Sequence, residues 1–303
     1  AGRVTAVGAG VAVVKALTAN GKAARCRVTV TAGDAGETTA YRALCVGTGL
    51  GQNGKVEDLS LFPIDARNFA DMLANLSFGG KKVDVTTLSN PKRQEVLAAL
   101  KSVFAGASDG DMNYLYLMCH GSKPTSAGYK IAIGRDATIS AKELRKKLDQ
   151  IPGTWVVILS SCYSGDVIGK ATFAGGFVEE FLEAGVQRKS GELKGSRYKV
   201  LCGSTSAQEG WVFGYGTHAA WSLSGGALAK GAGWDYINRT TPVSTRLNAD
   251  ANSDSRVTLS EAYAYAAPLV RDMHDAYKIQ SDAGVTQMVV YPQGDSTVIF
   301  ARD

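Results

Sequence analysis

Histidine is scarce in this chain: three occur in 303 residues, at positions 120, 218 and 274. That leaves few side chains able to act as a base near neutral pH. Cysteine is also sparse and odd in number, with five residues and no Cys-x-x-Cys pair. A disulfide framework and a structural zinc site are both disfavoured on that ground. No apolar run approaches 18 residues, which excludes a membrane-spanning helix. The net charge of +5 comes from scattered Lys and Arg. It lacks the clustered basic face that marks a nucleic-acid partner. What is present is ordinary globular composition, 45% hydrophobic and 20% charged, enough to build a normal core.

Residues 1–32 differ from the rest. Three runs (GRVTAVG, VAVVKALTANG, KAARCRVTVTA) alternate apolar and polar side chains with period two, and Asn20-Gly21 is a hairpin-turn signal between the last two. Three strands make a marginal unit, so the chain is expected to open inside a partial β module. After the linker 33–38, strands and helices alternate through residues 39–303. Strands are predicted at 39–47, 81–88, 113–119, 154–161, 198–203 and 296–300. Helices are predicted at 63–76, after an Asn90 cap with Pro91 at the first position, after a Ser140/Glu143 capping box, through 218–228, and from about Leu259 to Ile279. Such alternation predicts a three-layer α/β/α sandwich with a mostly parallel six-stranded sheet, and ligands at the carboxyl ends of its strands. GTGLGQNG after the first of these strands is superficially dinucleotide-like, but Gln52 stands at the third glycine position and the fingerprint fails.

Two of the apolar strands end in chemistry. One runs into Cys119-His120-Gly121-Ser122, the other into Ser160-Ser161-Cys162-Tyr163-Ser164-Gly165-Asp166. In a parallel sheet with these strands adjacent, His120 and Cys162 emerge on one edge. A thiol needs a nearby base or a lowered pKa to act as a nucleophile near neutral pH. Small residues after both side chains let a substrate backbone approach and leave amides free to face an oxyanion, those of Gly121 and Cys162 first. The same strand ends also admit a dull reading, with a buried small hydrophobe and a histidine turn. Cys119 is expected to point away from its neighbour His120.

YLYLMCHGS followed by WVVILSSCYSGD resembles the caspase–legumain–metacaspase clan of cysteine peptidases, and the likeness extends over residues 39–303 through PIDARNFADML, YKVLCGSTSAQEGWVFGYGTHAAWSLSGGAL and TQMVVYPQGDSTVIF. The resemblance implies peptide-bond cleavage through a thioester, with His120 as general acid/base and Cys162 as nucleophile, acting on a peptide or protein substrate without a cofactor. It also implies a substrate pocket whose wall includes Ser204, Thr205, Ser206, Glu209 and Trp211. Ser160 stands two positions before the nucleophile, where caspases carry glutamine and metacaspases aspartate. No arginine follows Trp211, so an acidic P1 residue is disfavoured. Asp166 and Glu209 favour a basic one, with a small or uncharged P1 as the alternative. Arg188, Lys189 and Lys194 in the charged loop 187–197 are candidate self-cleavage points; a solvated loop is the competing reading.

VTAVGAG…TANGKAARCRVTV is similar to the C-terminal half of a bacterial Ig-like group 2 module, which implies a secreted or cell-surface bacterial parent. No signal peptide opens the chain, so export is expected to depend on an upstream segment. Residues 250–261 match the calcium-loop template, with Asp250, Asn252, Asp254, the Arg256 carbonyl, Thr258 and Glu261 as ligands and Ser255 replacing the usual glycine. A structural calcium clip is expected there; an Asx-rich turn capping the following helix is the alternative. A monomer is expected. Two other functions stay open: a non-catalytic binding module on the same fold, and a transpeptidase or ligase using the same dyad.

Overall fold

The computed structural model describes residues 10–17, 23–30, 40–49, 61–125, 128–167, 197–210, 212–213, 216–217, 247–276 and 287–303. The chain divides into two compact units, residues 1–38 and 39–303. In the first, β1 (Gly10–Leu17) and β2 (Ala23–Val30) pair antiparallel from Gly10↔Val30 to Leu17↔Ala23. The strand expected before them and the Asn20-Gly21 turn lie outside the described residues.

The second unit is built on one sheet. Its strands are β3 (Tyr41–Thr48), β4 (Ser77–Phe78), β5 (Lys81–Ser89), β6 (Met112–Cys119), β9 (Thr154–Ser160), β10 (Tyr198–Cys202) and β14 (Val289–Tyr291). Their order is β14-β10-β9-β6-β3-β5-β4. The five long strands from β10 to β5 run parallel, and β14 and β4 close the edges antiparallel. The hairpin of β7 (Lys130–Gly134) and β8 (Ala137–Ser140) lies outside this sheet, as does the antiparallel pair β11 (Val212–Phe213) and β12 (Gly216–Thr217).

Side-chain alternation explains the layers. In β6, Tyr114, Tyr116 and Met118 enter one core with Phe62, Phe69, Met72 and Leu73 of helix α1 (Leu61–Ala74). Leu115, Leu117 and Cys119 enter the other, with Val96 and Leu100 of α2 (Arg93–Val103) and Leu144 and Leu148 of α3 (Ala141–Leu148). Both faces are thus covered, which is why the strands read as near-continuous apolar runs. Cys119 does face away from the His120 side, in the second core.

Three sequence expectations are corrected. The sheet has seven strands rather than six: β4 and β14, of two and three residues, are too short to carry a periodic signal, and one predicted strand lies elsewhere. The last predicted strand, β15 (Val298–Ala301), pairs with β13 (Arg256–Thr258) outside the main sheet. Its apolarity reports burial of Ile299 and Phe300 but not a pairing partner. Asn90 does not cap α2: Lys92 is the N-cap and Glu95 closes its capping box. Asn90 instead takes a left-handed backbone (φ 46°) and accepts the Gly49 N–H, fastening the end of β3. Ser140 caps α3 as expected, accepting the Glu143 N–H at 3.1 Å. The helix expected through 218–228 lies outside the described residues.

The C-terminal segment is tied to the sheet by one ion pair. Lys199 of β10 is buried, and its ammonium donates to Asp295 at 2.6 Å. Asp295 also accepts the Thr297 N–H, and its carbonyl receives both donors of Ser260, at the start of helix α4 (Leu259–Ala276). Burial works against the Asp295 carboxylate, but the hydrogen bonds from Lys199 and Thr297 outweigh it and hold its pKa below the ordinary value. Its contribution to stability is therefore present above the ordinary carboxylate pKa and lost as pH falls through the folded value. Lys199→Met should destabilise the protein by about 1–3 kcal/mol in urea unfolding at pH 7, because it leaves a half-buried carboxylate without its charged partner. The gap to wild type should close in strong acid, where Asp295 is protonated.

Candidate active site

The ladder between β6 and β9 is the starting point. Every pair in it, from Met112↔Thr154 to Met118↔Ser160, has the same offset of 42 positions. His120 and Cys162 share that offset and follow the last pair by two residues. Parallel strands lie about 4.8 Å apart, so the register brings the two residues out side by side at the carboxyl edge. Their spacing in the chain is the strand register itself.

His120 and Cys162 are both half-buried. The Phe62 ring packs on the imidazole, with centroids 5.3 Å apart and planes tilted by 53°. Phe62 reaches that position because the start of α1 lies on Gly47, at the end of β3, where a Cβ would collide with the Phe62 carbonyl. The His120 carbonyl accepts the Ala132 N–H, and the Ser122 N–H donates to the Lys130 carbonyl. The hairpin arm β7 is therefore zipped to the histidine turn, with Gly121 opposite Ile131.

The cysteine turn is held more tightly. Tyr163 takes φ +57°, a left-handed conformation that costs a non-glycine residue about 1–2 kcal/mol. Its N–H donates to the Gln208 carbonyl at 2.7 Å, and its phenol to Glu209 at 3.1 Å. The buried Gln208 side chain accepts from Thr205 and from the Gln287 N–H. The Tyr129 phenol meets the Ser161 hydroxyl at 2.7 Å and donates to the Cys162 carbonyl at 3.0 Å. The Cys162 thiol points to the Gly210 carbonyl, 3.5 Å away. Burial pushes this thiol above its ordinary pKa of 9.0, and the Glu209 carboxylate pushes it the same way. Among the described residues, neither the Gly121 nor the Cys162 amide donates to a backbone carbonyl.

The residues expected around the substrate are spread over different environments. Glu209 is exposed and beside the thiol, and Asp166 is half-buried in a short 3-10 turn (Ser164–Val167). Thr205 and Ser206 are half-buried on the loop after β10. Ser160 is buried at the end of β9. Ser204 sits differently from the expected pocket-wall position: it is fully buried, and its hydroxyl donates to the Ser161 carbonyl and accepts the Ser164 N–H. Its role is to knit the cysteine turn to β10. Trp211, Arg188, Lys189, Lys194 and His218 lie outside the described residues. Sequence reasoning missed Tyr129, Tyr163 and Gln208. Tyr129 directly precedes β7, but its long-range partners leave no local pattern.

The calcium-template residues form one loop leading into β13 and α4. Ser253 and Ser255 both take left-handed backbones (φ 63° and 64°). The Asp250 carboxylate accepts the N–H groups of Asp254 and Ser255, and Asp254 accepts that of Arg256. Thr258 and Glu261 cap α4 reciprocally: the Glu261 carboxylate accepts the Thr258 N–H at 2.9 Å, and the Thr258 hydroxyl accepts the Glu261 N–H at 3.2 Å. Among the described residues, no group of three or more His, Cys, Asp or Glu side chains is gathered to hold a metal ion. The loop has the bonds of an Asx-rich turn with a capping box.

Two outcomes follow from the geometry. A Cβ on Gly121 would land on the Cys162 carbonyl and the Tyr129 phenol oxygen. Gly121→Ala should therefore cost about 1–3 kcal/mol by overpacking and slow alkylation of Cys162, read by thermal melting and iodoacetamide labelling. With its pKa raised, the resting thiol is neutral at pH 7, so labelling of Cys162 should climb steadily from pH 7 to beyond pH 9. A plateau already reached below pH 7 would reveal a preformed thiolate instead.

Residues 42–279 match the caspase domain family, a span that includes both His120 and Cys162. Among curated proteins, none matches the chain. Among the solved structures that share its fold are two of unlike origin. One is protein GSU0716 from Geobacter sulfurreducens, 16% identical with a TM-score of 0.52, covering 87% of this chain and 97% of the other. The second is caspase-1 from Spodoptera frugiperda, 10% identical with a TM-score of 0.51, covering 84% and 87%. At these identities the likeness is one of fold, while the family match spans most of the chain. The strand order, the two covered sheet faces and that match agree: the chain belongs to the caspase domain family.

Proposed function

We propose that this protein is a cysteine endopeptidase in which His120 and Cys162 act as a dyad. The observation that carries the reading is their equal place beyond the Met118↔Ser160 pair on adjacent parallel strands. In this reading the Cys162 thiol gives its proton to His120 as its sulfur attacks the scissile carbonyl. The raised thiol pKa makes that base necessary. The developing oxyanion lies against the Gly121 and Cys162 amides. His120 then protonates the leaving amine, and water activated by the same imidazole hydrolyses the thioester.

We further propose a basic P1 residue. The exposed Glu209 carboxylate beside the nucleophile supports it, since Tyr163 holds that carboxylate in place at 3.1 Å. Profiling with a peptide library should give cleavage after Arg or Lys. Cys162→Ala should remove at least about 10³-fold of the activity, and His120→Ala a comparable amount. Glu209→Gln should lower kcat/KM for Arg-P1 peptides about tenfold, the scale of one lost charge-assisted contact, and leave uncharged P1 peptides nearly unchanged. Equal loss for both classes would assign Glu209 to the turn rather than to the pocket. Full cleavage by Cys162→Ala would refute the dyad. Mass spectrometry of the products separates hydrolysis from transfer to an amine.

A further inference from the structure

We propose that Tyr129 is a positioning residue for the dyad, a side chain that fastens the cysteine turn to the element already fastened to the histidine turn. The inference rests on the peptidase reading for its kinetic consequences.

Gly128 takes φ +86° and lets the backbone reverse after Thr125, whose carbonyl accepts the Gly128 N–H. Tyr129 is the next residue, 2% exposed, and packs in the core with Ile131, Ile133 and Leu144. Lys130 and Ala132, which follow it, form the backbone bonds to Ser122 and His120, with Ile131 between them opposite Gly121. The histidine turn is thus joined to this arm by main-chain bonds and by the Ser122 hydroxyl, which accepts the Lys130 N–H at 3.1 Å.

The cysteine turn is joined to the same arm by the phenol. A phenol carries one proton and accepts others. The Ser161 hydroxyl can donate to Tyr129 while Tyr129 donates to the Cys162 carbonyl, so each bond polarises the next. Burial pushes the phenol well above its ordinary pKa, so it remains a donor. The carbonyl it holds belongs to Cys162, and the Gly121 Cα abuts the same two oxygens. Removing the phenol oxygen frees the carbonyl of the nucleophile to rotate, and with it the Cys162 amide and Sγ. Misplacement of this kind can cost up to about 10²-fold in rate without weakening binding.

The decisive variant is Tyr129→Phe, which keeps the ring and removes only the oxygen. For wild type and variant, kcat and KM on an Arg-P1 peptide, the rate of iodoacetamide alkylation at Cys162 and the melting temperature should be measured together. The proposal expects kcat and the alkylation rate to fall about tenfold, KM to stay within about twofold and melting to change little. Ser161→Ala keeps the Tyr129–Cys162 bond and should lose less than about threefold in kcat. Unchanged kcat and alkylation in a folded Tyr129→Phe protein overturns the proposal, whether or not the melting temperature moves. So does a tenfold loss in Ser161→Ala, which carries the test should Tyr129→Phe fail to fold. If wild type alkylates at Cys162 but cleaves no peptide, the peptidase reading fails. The alkylation rates of the variants then still decide the role of Tyr129.

Discussion

The site depends on one constraint, the in-register parallel pairing of β6 with β9. A parallel ladder carries a constant offset between partners, here 42 positions. Whatever chemistry follows the two strands is delivered at that offset on one edge of the sheet. A slip of one residue would turn either His120 or Cys162 to the opposite layer, because side chains alternate. The slip is resisted along the whole ladder: Tyr114, Tyr116 and Met118 are buried on one face, Leu115, Leu117 and Cys119 on the other. The apolar cores of both layers hold the register, and the register holds the pair.

The two turns lie beyond the ladder and are positioned by other means. The histidine turn leans on β7 by main-chain bonds and on Phe62 by ring packing. The cysteine turn uses Tyr129, Ser204 and Gln208, which come from both sides of it in the chain. Their contacts offset the left-handed strain at Tyr163. The result is a thiol that is buried enough to be neutral at rest and close enough to the edge to be reached.

Much of this was legible before any coordinates. Long apolar runs identified the central strands, because a parallel sheet covered on both faces leaves no polar alternation. His120-Gly121, and Cys162 with Ser164-Gly165 after it, were readable because the turns need small residues. The parts that were not legible share a cause. β4 is two residues long, and β15 carries a burial pattern without a pairing signal. Tyr129, Ser204 and Gln208 act through partners 32 to 79 positions away, and a single sequence has no periodicity at that range. The calcium template and the helix-capping box share residues, since Thr258 and Glu261 meet the spacing of both.

The central claim is that the register makes Cys162 reactive through His120. The most direct measurement is covalent labelling with a peptidyl chloromethyl ketone ending in arginine, mapped by mass spectrometry in wild type and His120→Ala. The account predicts one adduct, on Cys162, formed much more slowly when His120 is absent. An adduct on another cysteine, or a rate that His120→Ala leaves unchanged, would contradict it.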